Sequence, residues 1–248
     1  MGSIRDEIIN DIKKKFESNN SVIGLVLAGS SSRRSQINKN SDIDFIAVTI
    51  KSGGRFKFYH NKGIWVEIFY EDEERVKKCF KDNDEIMINC FKDGNILIDN
   101  KGLVKELKEL AINIAKDYKL SDYNLKRLKY RFQVMLLKIK NAYLEKDLDK
   151  LIFLCMYVFP HLIRGLYIIN HKIPPTLCLW YNKNRILKLE GGDLLVSLFE
   201  LIRNSSGKQD IDEIYNIFMR LNNFLDSKTG GIFKGWEDKR KNHFQTFL

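Results

Sequence analysis

Four cysteines, at Cys79, Cys90, Cys155 and Cys178, lie too far apart for a Cys-x-x-Cys pair or any zinc-type spacing. They are expected to be reduced, mostly buried thiols of a cytoplasmic protein. Histidine is as sparse: His60, His161, His171 and His243 stand alone, without metal-ligand spacing, and are read as structural. Proline occurs three times, and its one cluster, Pro174-Pro175, reads as a break between helices. Long apolar runs are missing as well. The longest, Leu151 to Phe159, is too short to span a bilayer, is closed by Pro160, His161 and Arg164, and is read as a buried helix. Acids interrupt the opening residues and no apolar core follows, so they do not read as a signal peptide. No internal repeat or low-complexity stretch is visible. The expectation is a chain with no membrane partner.

What remains is ordinary for a globular protein, 44% apolar and 30% charged residues, with length enough for one large domain or two small ones. Lysine and arginine number 42 against 32 acids, and the resulting net charge of +10 points to an anionic partner such as an NTP or a nucleic acid. It also weighs against a strongly cationic acceptor molecule.

The most informative stretch runs from Leu25 to Val48. Val22 to Ala28 is short, apolar and β-branched, the pattern of a buried strand. Gly29 permits backbone conformations that a Cβ would block. Ser30, Ser31 and Ser32 add hydroxyls, and Arg33 and Arg34 add fixed positive charge with fork-shaped donors. Such a loop suits a polyphosphate.

Asp42 and Asp44 follow at i and i+2, which on a strand puts both carboxylates on one face. Phe45 to Ile50 continues apolar and fixes the pair at one end of a buried strand. Like charges so close repel unless a cation lies between them, and two hard oxygen ligands beside a phosphate loop fit Mg²⁺. Glu67 is the third acid, inside the apolar strand Gly63 to Tyr70, with Trp65 and Phe69 on its face and Ile64, Val66 and Ile68 on the other. An ionisable group there is costly without a partner. A metal site shared with the aspartates would supply one if the two strands are neighbours.

Gly29-Ser30, then Ser41-Asp42-Ile43-Asp44, then Glu67 on a later strand, resembles the DNA polymerase β-type nucleotidyltransferase superfamily. Within it the chain is most similar to small bacterial nucleotidyltransferases that include antibiotic-modifying adenylyltransferases. The motifs cover the first third to half of the chain. One departure is that Arg34 stands near where the family often has a second loop glycine. The resemblance implies an α+β protein: an N-terminal nucleotidyltransferase α/β domain with a mixed sheet, residues 1-120, followed by an all-α helical bundle that binds the acceptor, residues 121-248. It implies an enzyme that moves an NMP, expected to be AMP from ATP, to a hydroxyl of a small, antibiotic-like acceptor. Asp42, Asp44 and Glu67 would be the catalytic and metal-binding set for one or two Mg²⁺ ions. Gly29, Ser30, Arg33, Arg34 and Ser41 would be the nucleotide-binding set. Ser41 is equally read as a local backbone cap. Homodimer formation is compatible with this reading. The alternatives are transfer to a macromolecule, tRNA or protein, and a catalytically inactive nucleotide-binding protein.

The rest of the chain supports that division. Ile4 to Phe16 carries a helical stripe, Arg55 to Tyr59 alternates like a strand, and His60 to Gly63 reads as a hairpin turn. Glu71 to Lys81 reads as a helix capped by Asp72, Glu85 to Phe91 is ambiguous, Asn95 to Ile98 a strand and Leu103 to Tyr118 a helix. After Ser121-Asp-Tyr-Asn124 every segment is helical in pattern. The basic run Lys126, Arg127, Lys129 and Arg131, with Tyr130 and Phe132, reads as a solvated helix side with aromatics in the core; an RNA-binding face is the sharper alternative. Trp180 and Tyr181 are read as packing between helices, with an acceptor pocket as the alternative.

Overall fold

A computed structural model of the chain describes residues 3–33, 41–51, 54–120, 122–175, 182–205, 207 and 210–229, the side chains of 122–127 and 129 excepted. Arg34, Cys178, Trp180, Tyr181 and His243 lie outside the described residues. The chain divides into two compact units, Met1–Tyr118 and Lys119–Leu248.

The first unit is built on a five-stranded mixed sheet in the order β3-β4-β2-β1-β5. Its strands are β1 (Val22–Ala28), β2 (Ile43–Thr49), β3 (Arg55–Asn61), β4 (Ile64–Asp72) and β5 (Asn95–Asp99). β1 and β2, central in the sheet, are buried along almost their whole length, which is why their sequences are continuous apolar runs rather than alternating ones. The side chains of Leu25, Val26, Ile43 and Phe45 are fully enclosed, each worth about 1.5–3 kcal/mol of burial. β2 runs antiparallel to β1 but parallel to β4, and in that register Asp44 stands opposite Glu67.

One face of the sheet is covered by α1 (Ile4–Glu17), through Ile8, Ile12 and Phe16 packed among Leu25, Leu27, Phe45 and Ile68. Ser3 caps it in a reciprocal capping box with Asp6. α2 (Glu73–Lys81), α3 (Glu85–Asp93) and α4 (Leu103–Lys116) complete the unit, and Val104 of α4 packs on Gly24 at the opposite face. The ambiguous segment at Glu85 is thus a helix, started by Asp84, whose side chain accepts from the Met87 amide.

The expected turn at His60 is shorter than its sequence implies. β3 runs on to Asn61 and His60 pairs with Trp65, leaving Lys62 and Gly63, both with positive φ (49° and 84°), as a two-residue turn.

The second unit is helical among its described residues: α5 (Asp122–Leu144), α6 (Leu148–Ile169), the short α7 (Lys183–Ile186), α8 (Gly192–Asn204) and α9 (Asp210–Lys228). Phe132, Ile139, Leu151, Leu162, Leu198, Phe218 and Leu225 meet in its core. α6 continues through Pro160 to 22 residues. It is the one described helix long and apolar enough to cross a membrane, and half of its apolar window is buried inside the protein, as expected of a helix at the centre of a bundle.

Candidate metal and nucleotide site

The three acids come together at one end of the sheet. Asp42 immediately precedes β2, Asp44 lies within its first turn of pleat, and Glu67 sits beside Asp44 on β4. One oxygen from each of Asp42, Asp44 and Glu67 lies within 4.8 Å of the others. Parallel pairing brings this about: the i, i+2 spacing aligns the aspartates, and the β2–β4 register supplies the third carboxylate.

The electrostatics of the cluster are those of crowded, partly buried carboxylates. Asp44 is pushed up to about 7, first by burial and then by the charges of Asp42 and Glu67; Arg33 and Arg5 oppose the shift. Glu67 is raised in the same direction by burial and by Asp42. A divalent cation would remove both sources of the shift, since it replaces lost hydration and screens the repulsion. The donors are all hard carboxylate oxygens, the set that Mg²⁺ takes.

Opposite the acids, β1 ends in the bend Gly29 to Arg33. Gly29 adopts φ 61° and ψ −148°, and a single 3₁₀ turn, Ser30–Ser32, follows it. A Cβ on Gly29 would stand 1.8 Å from Asp44 Oδ2, so the bend and the acids are in direct contact. The three serines have different uses. Ser31 is buried and donates to the Asp42 carbonyl at 2.8 Å, while Ser32 donates to the Gly29 carbonyl at 2.9 Å. The hydroxyl of Ser30 is buried and has no partner among the described residues. An unspent donor beside a cation site is what a phosphate oxygen needs. Arg33 lies 3.8 Å from Asp93 at the end of α3, and its charge reaches Asp44.

Arg5 is the residue that sequence reasoning missed. Although charged, it is 8% exposed on α1. Its guanidinium donates to Ser31 Oγ at 3.0 Å, to the Asp42 carbonyl at 2.8 Å and to the Ser41 carbonyl. One planar fork therefore ties the serine bend to the backbone that carries the first aspartate. Ser41 contributes its backbone carbonyl to this tie, a contact with a distant helix rather than a local cap. The only sequence signal was a cation within the first turn of an otherwise amphipathic helix.

Beyond Glu67 the same sheet face carries a strip of half-exposed rings. Phe58 and Trp65 stack at 4.4 Å between centroids with planes 7° apart, and Phe56 meets Phe69 at 4.8 Å. Phe58 stands opposite Glu67 in the β3–β4 register.

No protein-family profile and no curated protein matches this sequence. Among solved structures, the chain is similar to a nucleotidyltransferase-like protein from Exiguobacterium sibiricum, with a TM-score of 0.52 at 13% identity, over 90% of this chain and 75% of that one. At that identity the likeness is one of fold: the chain has the α+β, mixed-sheet fold of a nucleotidyltransferase-like protein.

Proposed function

We propose that the chain is a Mg²⁺-dependent nucleotidyltransferase that moves AMP from ATP to a hydroxyl of a small-molecule acceptor. The observation that carries this reading is the meeting of Asp42, Asp44 and Glu67 within 4.8 Å on a nucleotidyltransferase-like fold. Those three carboxylates would hold the cation. When bound, Mg²⁺ supplies charge neutralisation on the phosphate oxygens.

The chain's own residues account for the rest. The acceptor hydroxyl attacks the α-phosphorus, the bond to the bridging oxygen breaks, and pyrophosphate leaves with that electron pair. Ser30 Oγ, buried and unspent, donates to a phosphate oxygen, and Gly29 lets the backbone approach where a side chain would collide with Asp44. Arg33, anchored near Asp93, adds positive charge beside the same bend. Glu67 has its proton affinity raised by burial, which suits it to take the acceptor's proton if it is not held by the cation. Phe58 and Trp65 give the acceptor a flat surface beside Glu67.

None of the described thiols is called on in this reading. Cys79, Cys90 and Cys155 are free, and burial pushes Cys90 and Cys155 up to about 12, where both stay protonated. Free thiols support a reducing, cytoplasmic setting. A second reading, transfer to a macromolecule such as tRNA or a protein, is favoured by the net charge of +10.

The test is incubation with labelled ATP, Mg²⁺ and separate panels of antibiotics, tRNA and proteins. Label transfer with pyrophosphate release, lost in Asp42→Asn and Asp44→Asn, is expected with a small molecule. Transfer to tRNA or protein would select the second reading, and ATP binding without transfer to any panel would leave a nucleotide-binding protein instead.

A further inference from the structure

The helical unit contains a cleft of its own. It has a volume of about 340 Å³ and lies between α5 and α6, within the size range of small-molecule pockets. α5 contributes Tyr130, Arg131 and Lys138, and α6 contributes Phe153, Tyr157 and His161. These positions recur at helical spacing, so each set forms one face of its helix. The basic run read in the sequence thus divides here: Phe132 enters the core, while Tyr130 and Arg131 line the cleft.

Three features separate this cleft from a solvated groove. Its aromatic side chains are unusually open, with Tyr130 at 50%, Tyr157 at 61% and Phe153 at 67% exposure. Three rings, each at least half exposed, around one concavity form the kind of apolar patch that marks a binding surface. Its charged lining residues are both cations, Arg131 and Lys138, with no acid among them. Its imidazole helps to hold one of those cations at the cleft: His161 Nε2 lies 3.4 Å from Arg131 Nη1, and since a guanidinium can only donate, Nε2 accepts.

We infer that the α5–α6 cleft binds a ligand that joins an aromatic ring to an anionic group. The ring would stack among Tyr130, Phe153 and Tyr157, and the anion would meet the planar donor fork of Arg131 and the ammonium of Lys138. Nucleotides and aromatic acids share this chemistry. A single-stranded nucleic acid needs a basic track, whereas the described side chains of the cleft place two cations around one cavity. The inference does not depend on the role of the acid cluster.

The test uses the full chain and two fluorescent probes of the same shape, anilinonaphthalene sulfonate and the uncharged N-phenyl naphthylamine. The sulfonate is expected to bind more tightly than its neutral counterpart, at one site per chain. Arg131→Met should weaken the sulfonate by about tenfold and leave the neutral probe unchanged. Phe153→Ser, at an exposed position, should weaken both. Displacement by AMP would identify a nucleotide ligand, and displacement by naphthoate an aromatic acid; either supports the inference. Should Arg131→Met lose the helical circular dichroism of the parent, Lys138→Met carries the same comparison. The inference is overturned if neither cation variant alters sulfonate affinity, if the neutral probe binds equally well, or if oligonucleotides alone displace the dye.

Discussion

The carboxylate of Asp44 occupies the space where a side chain on Gly29 would begin, 1.8 Å from the place of its Cβ. A methyl group there cannot be accommodated while both the bend and the acid stay in place, and the backbone at φ 61° adds strain of about 1–3 kcal/mol for any residue with a Cβ. Gly29→Ala is therefore expected to lower the melting temperature and to abolish stabilisation by Mg²⁺. For the parent protein, Mg²⁺ at a hundred times its Kd stabilises by about 2.7 kcal/mol. Gly63→Ala is the control: it also has positive φ, but a Cβ there meets nothing within 4 Å. It should lose stability yet keep the response to Mg²⁺. Equal cation responses in all three proteins would separate the bend from the acid cluster.

Arg5 holds the Ser41 and Asp42 carbonyls and Ser31 with one guanidinium. Removing it takes a charged donor away from these part-buried acceptors, at a cost of about 1.5–3 kcal/mol. Arg5→Lys is not a conservative change here, since an ammonium lacks the fork that spans these groups. Both Arg5→Ala and Arg5→Lys are expected to weaken Mn²⁺ binding, measured well below their melting temperatures so that the folded state is compared. Unchanged Mn²⁺ affinity in folded Arg5→Ala would make Arg5 a stabilising residue without a positioning role.

His161 makes stability depend on pH. Burial, together with the guanidiniums of Arg131 on α5 and Arg164 on α6, holds it down to about 4 from 6.5. The Phe132 ring is its aromatic neighbour. The unfolded chain takes up the proton near 6.5 and the folded chain only near 4, so between those values unfolding binds protons and stability falls as pH falls. Above 6.5 the contribution is complete and flat. His161→Gln is expected to reduce the slope of melting temperature against pH in that window. A slope identical to the parent's would show that the folded-state imidazole is not held neutral.

Much of the fold was legible because its central strands carry their burial in the sequence. The apolar run Val22 to Ala28 forms β1 over its whole length. β4 shows the expected alternation, with Val66 and Ile68 buried and Trp65 and Phe69 exposed. The hairpin turn reads two residues too long because lysine at positive φ carries none of the signal that asparagine would, so the Lys62-Gly63 turn does not stand out. α3 was ambiguous because nine residues give too short a period to read, although Asp84 is an ordinary cap. At the site, the spacing of Asp42 and Asp44 is local and visible, whereas their approach to Glu67 rests on the parallel β2–β4 pairing. Arg5 was invisible for a related reason: its partners are backbone carbonyls 36 and 37 positions away, which no side-chain pattern reports.

Anomalous diffraction from crystals soaked with Mn²⁺ and a non-hydrolysable ATP analogue asks whether the three acids share a metal. The predicted result is a strong anomalous peak coordinated by carboxylate oxygens of Asp42, Asp44 and Glu67, with the analogue's phosphates lying against Gly29 and Ser30. A fully occupied analogue with no peak among those carboxylates, or with its phosphates bound elsewhere, would contradict the account.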